Sequence, residues 1–500
     1  MNTALAPHAH ARKTLDLLAE RIRQRGDLPG FSKVVSSILN AMQAEDDREF
    51  NLTKTVLSDP ALTQRVLKLA NSAMYSVFGQ NINTVSKAVI VLGTEAIGHL
   101  ALGLRLIDGL SSVSHASEIA RNEMEKAVLA GHIARQVAGH ASTRDVEEAV
   151  VCSMLHSLGR MVTVFYLPEY WSKIEQQVGA GKSEGSAAYD ILGMDLDELG
   201  RTMAKRWGLP PSLVDSMQNL PPKPLDEPLT HSDWLAAIST MSTACADAIC
   251  ESGSATDADA AAELAVIAND YTPMLGMDAA QLLEAIQAAQ QTAREEAVIS
   301  PSEPPPEKQR ASDAKAESKS TGEFSQLAKG VADMHGISGS ANSAQMVTMA
   351  LETMYKGLGL CRSIFFLRSP DQGHYLPRLC FGEGVQELIP HLAFNSAYQP
   401  DVFHAALAND KIIFVENAQE PNFISKLPRW WRDHFPTTRS FIVLPLTLKR
   451  QPIGFMYGDW DQASVDYNRD MLEIAALEDL RTLVAHAIEQ RRKVDPAWMV

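Results

Sequence analysis

The sequence predicts a multidomain chain in which an all-α region precedes a smaller α+β region. Three features carry that expectation. Apolar residues recur at helical spacing through most of residues 1–299. Residues 300–322, SPSEPPPEKQRASDAKAESKSTG, hold three successive prolines and almost no large apolar side chain. They cannot bury a core and are expected to form a disordered linker. Beyond Glu323, short apolar runs of strand length alternate with amphipathic helices, the order of an α+β domain.

Length and composition set the outer bounds. A chain of 500 residues suggests two to four domains. With 45% hydrophobic and 21% charged residues it has the make-up of an ordinary soluble protein. Its formal charge of −16 makes it a poor candidate for broad contact with nucleic-acid phosphates or anionic lipid. No apolar run approaches the ~18 residues that cross a bilayer. MNTALAPHAHARK lacks the apolar centre of a signal peptide. Cys152, Cys245, Cys250, Cys361 and Cys380 form no CxxC pair, so free thiols in a reducing cytoplasm are expected.

Residues 1–27 read as a weakly amphipathic helix carrying Leu15, Leu18 and Ile22, and Leu28-Pro29-Gly30 as a turn. A helix from about Ser32 to Met42 follows. The stretch from Leu57 to Leu110 is the most densely signposted. Asp59 is placed to cap a helix beginning at Pro60, where the missing N–H costs nothing. Leu62, Val66, Leu69, Ala70 and Ala73 share its apolar face. After the break at Gly79–Asn83, Asn83 or Thr84 caps a helix over Val85–Leu92 that Gly93 ends. Thr94 opens a third, with Ile97, Leu100, Leu104 and Ile107 in phase. Connections this short predict that the three helices pack on each other or on a nearby layer.

Further helices are expected around Ala127–Val137, Ala149–Leu155 and Trp171–Val178, with Gly159 interrupting the second, and the segment Tyr189–Met217 is expected to hold two helices separated by a Gly208-Leu209-Pro210-Pro211 turn. Residues 221–299 read as a helical extension packed on the first domain, because Ile238, Met241, Leu264, Ile267, Leu282, Leu283 and Ile286 need a surface to cover them. In the last part a helix over Ser343–Leu358 precedes strands at Arg362–Arg368, His374–Phe381 and Lys411–Val415. A hairpin of Ser440–Leu448 and Pro452–Trp460 and a closing helix over Asn468–Arg491 complete it.

SDPALTQRVLKLANSAMYS with the Ile82–Gly93 segment, then MLHSLGRMV and LGRTMAKRWGLPPSLVDSM in that order, resemble the HDOD family of bacterial signalling proteins. The resemblance places the domain at residues 28–220. It implies a helical relative of the HD metal-dependent phosphohydrolases that has generally lost the complete metal site. Such a phosphohydrolase holds its cations with paired His and Asp ligands. Here the doublet reads His156-Ser157, Lys126 stands where an upstream histidine falls by spacing, Leu196 occupies LGMDLDELG, and Gln218-Asn219-Leu220 follows Met217. One imidazole builds no such site. His156 and Ser157 are therefore read as a vestigial position, with no catalytic residue, no metal and no cofactor. His132 is the nearest rescue ligand but reads as a helix-face residue, and His8, His10 and His115 as surface residues. No GxSxG, HExxH, phosphate loop or dinucleotide fingerprint occurs.

SFIVLPLTLKRQPIGFMYGDW and its flanking helices are similar to a GAF sensor domain over residues 323–492. That implies a central antiparallel sheet which encloses a small ligand or serves dimerisation. Phe366, Arg378, Phe403, Trp430, Arg439, Tyr457 and Asp459 are the candidate pocket, against the alternative of an ordinary sheet core with exposed tryptophans. The residue set of cyclic-nucleotide-binding members is missing, and Cys361 and Cys380 are expected in strands, where no bilin would attach. The expectation is a cytoplasmic, non-catalytic signal-transduction protein. Other signalling proteins would bind the helical domain, and a small molecule or a second copy the GAF-like one, with neither nucleic acid nor membrane as partner. The alternative is a metal-dependent phosphohydrolase acting on a nucleotide second messenger, distinguished by bound metal.

Overall fold

A computed structural model of the chain describes residues 6–25, 33–44, 47–71, 82–111, 118–140, 143–224, 229–251, 257–299, 326–369, 373–461 and 471–494. The expected linker at 300–322, the Leu28-Pro29-Gly30 turn, Ala73, Gly79 and His115 lie outside the described residues. The chain divides into two compact units that cut across sequence order. One is Met1–Arg48 with Leu92–Pro305; the other is Glu49–Val91 with Pro306–Val500.

In chain order the first helices are α1 (Ala6–Arg25), α2 (Lys33–Gln43), α3 (Arg48–Leu57), α4 (Pro60–Ala70), α5 (Val85–Leu92), α6 (Thr94–Ser111), α7 (Glu118–Val137) and α8 (Thr143–His156). They continue with α9 (Leu158–Tyr166), α10 (Pro168–Gly179), α11 (Glu184–Leu192), α12 (Leu196–Arg206), α13 (Pro211–Asp215), α14 (His231–Glu251), α15 (Asp257–Leu275) and α16 (Ala279–Ile299). Within the first unit α7 is central, with α6, α8, α14 and α16 packed on it. Its small residues allow this. A Cβ at Gly131 would sit 2.6 Å from Met154 Cγ. Close approach also explains Gly159, which precedes no break: a Cβ there would fall 1.9 Å from the Leu196 carbonyl oxygen, so α9 and α12 touch backbone to backbone. Within α14, α15 and α16, Ile238, Met241, Leu282 and Ile286 are buried, whereas Leu264, Ile267 and Leu283 are half-buried.

The second unit contains α17 (Gln326–Ile337), α18 (Ser343–Gly357) and a six-stranded antiparallel sheet in the order β3-β2-β1-β6-β5-β4. The strands are β1 (Arg362–Ser369), β2 (His374–Gly382), β3 (Phe394–Asn395), β4 (Ile413–Val415), β5 (Ser440–Leu448) and β6 (Gln451–Trp460). Lys449 and Arg450 turn the β5–β6 hairpin at φ of 50° and 64°, the left-handed conformation that tight hairpin turns require. Short helices α19 (Val385–Leu388), α20 (Val402–Asn409), α21 (Pro421–Ile424) and α22 (Arg429–His434) precede the hairpin, and α23 (Met471–Val494) closes the unit beside α17 and α18.

Asp59 caps α4 as expected, its Oδ1 accepting from the Leu62 N–H at 3.0 Å. One expectation for the central stretch is corrected. Leu69 is only half-buried; Leu62, Thr63, Val66 and Ala70 form the inner face, because residues four apart stay in line over so short a helix. Of the three helices, α4 and nearly all of α5 belong to the second unit and α6 to the first.

Candidate functional site

His156 ends α8 and Ser157 opens α9 without a side-chain cap bond. The imidazole is buried and its Nδ1 has no hydrogen-bond partner among the described residues. Burial lowers its pKa to about 4, against the pull of a hydrogen bond with Asn219 and the charge of Asp247, so it is neutral at pH 7. Beside it stands a ring of ions. Lys126 Nζ lies 2.9 Å from Asp247 Oδ1 and 3.5 Å from Glu123 Oε1. The Arg160 guanidinium lies 2.6 Å from Glu184, 3.4 Å from Asp247 and 3.6 Å from Glu123. Burial raises the Glu123 pKa while Arg160 and Lys126 oppose it. The carboxylate lone pairs that would face a divalent ion are thus directed at an ammonium and a guanidinium, and a serine hydroxyl replaces the aspartate. These residues do not fit the metal set of an HD phosphohydrolase.

The structure brings Lys126 and His156 to one region, as spacing suggested, and adds Arg160, Glu184 and Asp247. Arg160 stands in plain view in MLHSLGRMV, but two of its partners, Glu184 and Asp247, come 24 and 87 residues later. His132 is buried on α7 and His10 is exposed. Among the described residues, a separate group has cation-holding geometry. Ligand atoms of Asp145, Glu148 and His231 lie within 4.8 Å of one another, with His231 Nε2 3.1 Å from the buried Glu148 carboxylate. The i, i+3 spacing of the two acids is legible in α8; the arrival of His231 at the start of α14 is not.

In the second unit Phe366, Phe403 and Tyr457 do converge, and Trp430 packs on them half-buried. They converge as a core. Phe366 stacks on Phe455 with centroids 4.5 Å apart, Phe394 stacks on Trp430 at 4.9 Å, and Trp430 meets Phe403 at 4.9 Å. The tryptophans expected on the surface are packed: Trp431 is buried. Arg378 and Arg439, the two arginines of that candidate set, are exposed. The β1–β2 register shifts between Phe365 and Phe366, leaving Arg378 without a cross-strand partner, and Arg439 sits just outside β5.

Asp459, 0% exposed, pairs with Arg362 instead, which antiparallel pairing sets opposite it. Arg362 Nε lies 2.9 and 3.0 Å from the two carboxylate oxygens, and its Nη2 donates to Thr438 and Asp461. Tyr457 donates to Asp459 at 2.9 Å and accepts from Trp431 Nε1 at 2.9 Å. Burial raises the Asp459 pKa to about 6, although Arg362 opposes it. Cys380 lies in β2 and is buried, whereas Cys361 precedes β1 and is exposed.

Residues 28–220 match the HDOD domain family. An uncharacterized protein of Treponema pallidum (strain Nichols) is 24% identical over 214 residues, which span 41% of this chain and 40% of that protein's length. A crystal structure of an HDOD domain protein with unknown function from Geobacter sulfurreducens aligns at 20% identity and a TM-score of 0.39, covering 57% of this chain and 97% of that one. The GAF domain of an Acinetobacter phosphoenolpyruvate-protein phosphotransferase aligns at 13% identity and a TM-score of 0.28, covering 34% of this chain and 98% of its own.

Proposed function

We propose that this chain, which carries an HDOD domain over residues 28–220, is a non-catalytic signal-transduction protein. Its HDOD domain binds other signalling proteins. The C-terminal α+β region is a GAF-like module that senses a small molecule or pairs two copies. A ligand entering its aromatic core displaces Trp430, a half-buried ring of the cluster. The protein acts in the cytoplasm. In keeping with this, no single helix among the described residues is long and apolar enough to cross a membrane.

One observation carries the reading: Lys126 and Arg160 hold the carboxylates beside His156. A fixed ammonium at 2.9 Å from Asp247 repels a divalent ion and leaves it no free ligand set. Transition-metal content of the purified full chain tests this, alongside phosphodiesterase assays on nucleotide substrates. We expect no stoichiometric metal depending on His156, and a folded His156→Ala variant that binds its cellular partners as the parent does. A stoichiometric metal lost in that variant, together with a lost phosphodiesterase activity, would replace this reading by the enzymatic one.

A further inference from the structure

The first N–H groups of an α-helix have no acceptor within the helix and must find one outside it. For α5 the acceptor is Glu352 of α18. The Val85 N–H donates to its Oε1 at 2.7 Å and the Ser86 N–H to its Oε2 at 2.8 Å, and Ser86 Oγ donates to Oε2 as well. Asp333 of α17 holds the preceding turn. It accepts from the Asn83 N–H at 2.8 Å, from Asn83 Nδ2 at 2.9 Å and from Thr84 Oγ1 at 3.2 Å, and Lys87 Nζ lies 2.9 Å away. Asp333 is 1% exposed and Glu352 2%.

These bonds join distant sequence. Residues 83–87 fall within the 28–220 HDOD match, whereas both acids belong to the C-terminal half. Other side-chain contacts of Glu49–Val91 with that half include the bond from Lys54 to Gln386 at 2.8 Å, the bond from Gln345 to Glu49 at 2.9 Å, and Phe50 packed on Phe381 with centroids 5.3 Å apart. The segment also buries Leu52, Val56, Leu62, Val66, Val85 and Val89. Buried carboxylates are costly, and a pairing that depends on them is specific and breaks as a unit once either partner is lost. Each of the bonds from residues 83–87 described above has Asp333 or Glu352 as its acceptor. Burial raises the Glu352 pKa, while its bonds from Ser86 and Val85 and the charge of Lys356 oppose that shift.

We infer that Asp333 and Glu352 form a latch by which the C-terminal region holds the Glu49–Val91 segment of the HDOD domain, and that its release is the step by which a signal passes between the two. The inference deepens the signalling reading and rests on it for the meaning of release, but the latch itself is tested without any partner. Hydrogen exchange of the full chain is measured for the parent, the Asp333→Asn/Glu352→Gln double variant, and the single Ser86→Ala variant. The double variant is expected to exchange amides of residues 83–91 roughly tenfold faster or more, with β5 and β6 as protected as in the parent. Ser86→Ala removes one donor and gives a smaller increase in the same amides, which keeps the test decisive if the double variant does not fold. Unchanged exchange over 83–91 in Ser86→Ala and in the double variant overturns the latch. So does equal loosening of β5 and β6, which would make the acids part of one indivisible core. Either result leaves the signalling reading standing, whereas a His156-dependent metal removes that reading and leaves the latch.

Discussion

His156 at the centre of the helical unit and Asp459 in the sheet-containing unit are both buried, yet acid acts on them in opposite senses. The histidine falls from 6.5 to about 4, so the unfolded chain takes up the proton first. The stability it contributes is present above 6.5 and is lost as pH falls toward 4. The aspartate rises from 3.8 to about 6, so the unfolded chain gives up the proton first. Its contribution is present below 3.8 and is lost as pH rises through 6. In both, the penalty of burying charge outweighs the neighbours. A guanidinium bound to both carboxylate oxygens does not bring Asp459 back to an ordinary value. The sign then follows from which protonation state is neutral.

The comparison is tested first by separating the units. Phe403→Ala opens a cavity among stacked rings and should cost about 3–5 kcal/mol, seen as a lower denaturant midpoint for strand signals with the helical unit unchanged. A common loss in both would mean the units unfold as one. Next, His156→Gln stays neutral at every pH. It should remove a dependence on the order of 3 kcal/mol between pH 6.5 and 4, measured as the difference from the parent's stability curve in that window. Asp459→Asn should remove a dependence of opposite slope, on the order of 2–3 kcal/mol between pH 4 and 6. Slopes of equal sign would break the contrast. The smallest effects lie in α4. Half-buried Leu69→Ala should cost about 1–2 kcal/mol and exposed Lys68→Ala should stay within about ±0.5 kcal/mol. The Leu69 loss should appear in the transition of the sheet-containing unit, with which α4 is grouped.

Local chemistry was legible in the sequence, and partners far along the chain were not. Asp59 with Pro60 marks the start of α4, and Gly93, at φ 94°, follows the last residue of α5. The β5–β6 hairpin follows from its alternating apolar runs. The acceptors at the start of α5 lie up to 267 residues away, and no local pattern announces them. Arg362 and Asp459 are recognisable as a pair only once the register of β1 on β6 is known. The two residues of β3 are too few to show a period. The exposure of Arg378 and Arg439 was not legible, because charge next to an apolar run says nothing about which side of a bulge or strand end it leaves.

The ion ring beside His156 also bears on how this chain can change over generations. Lys126→His alone would leave Glu123, Asp247 and Glu184 around the single guanidinium of Arg160. Ser157→Asp alone would add a further negative charge to the same interior, with Lys126 still in place. Either change, made alone, would leave an interior of unbalanced charge, which burial penalises. The neighbouring position is constrained as well, since any side chain at Gly159 would collide with the Leu196 carbonyl and push α9 from α12.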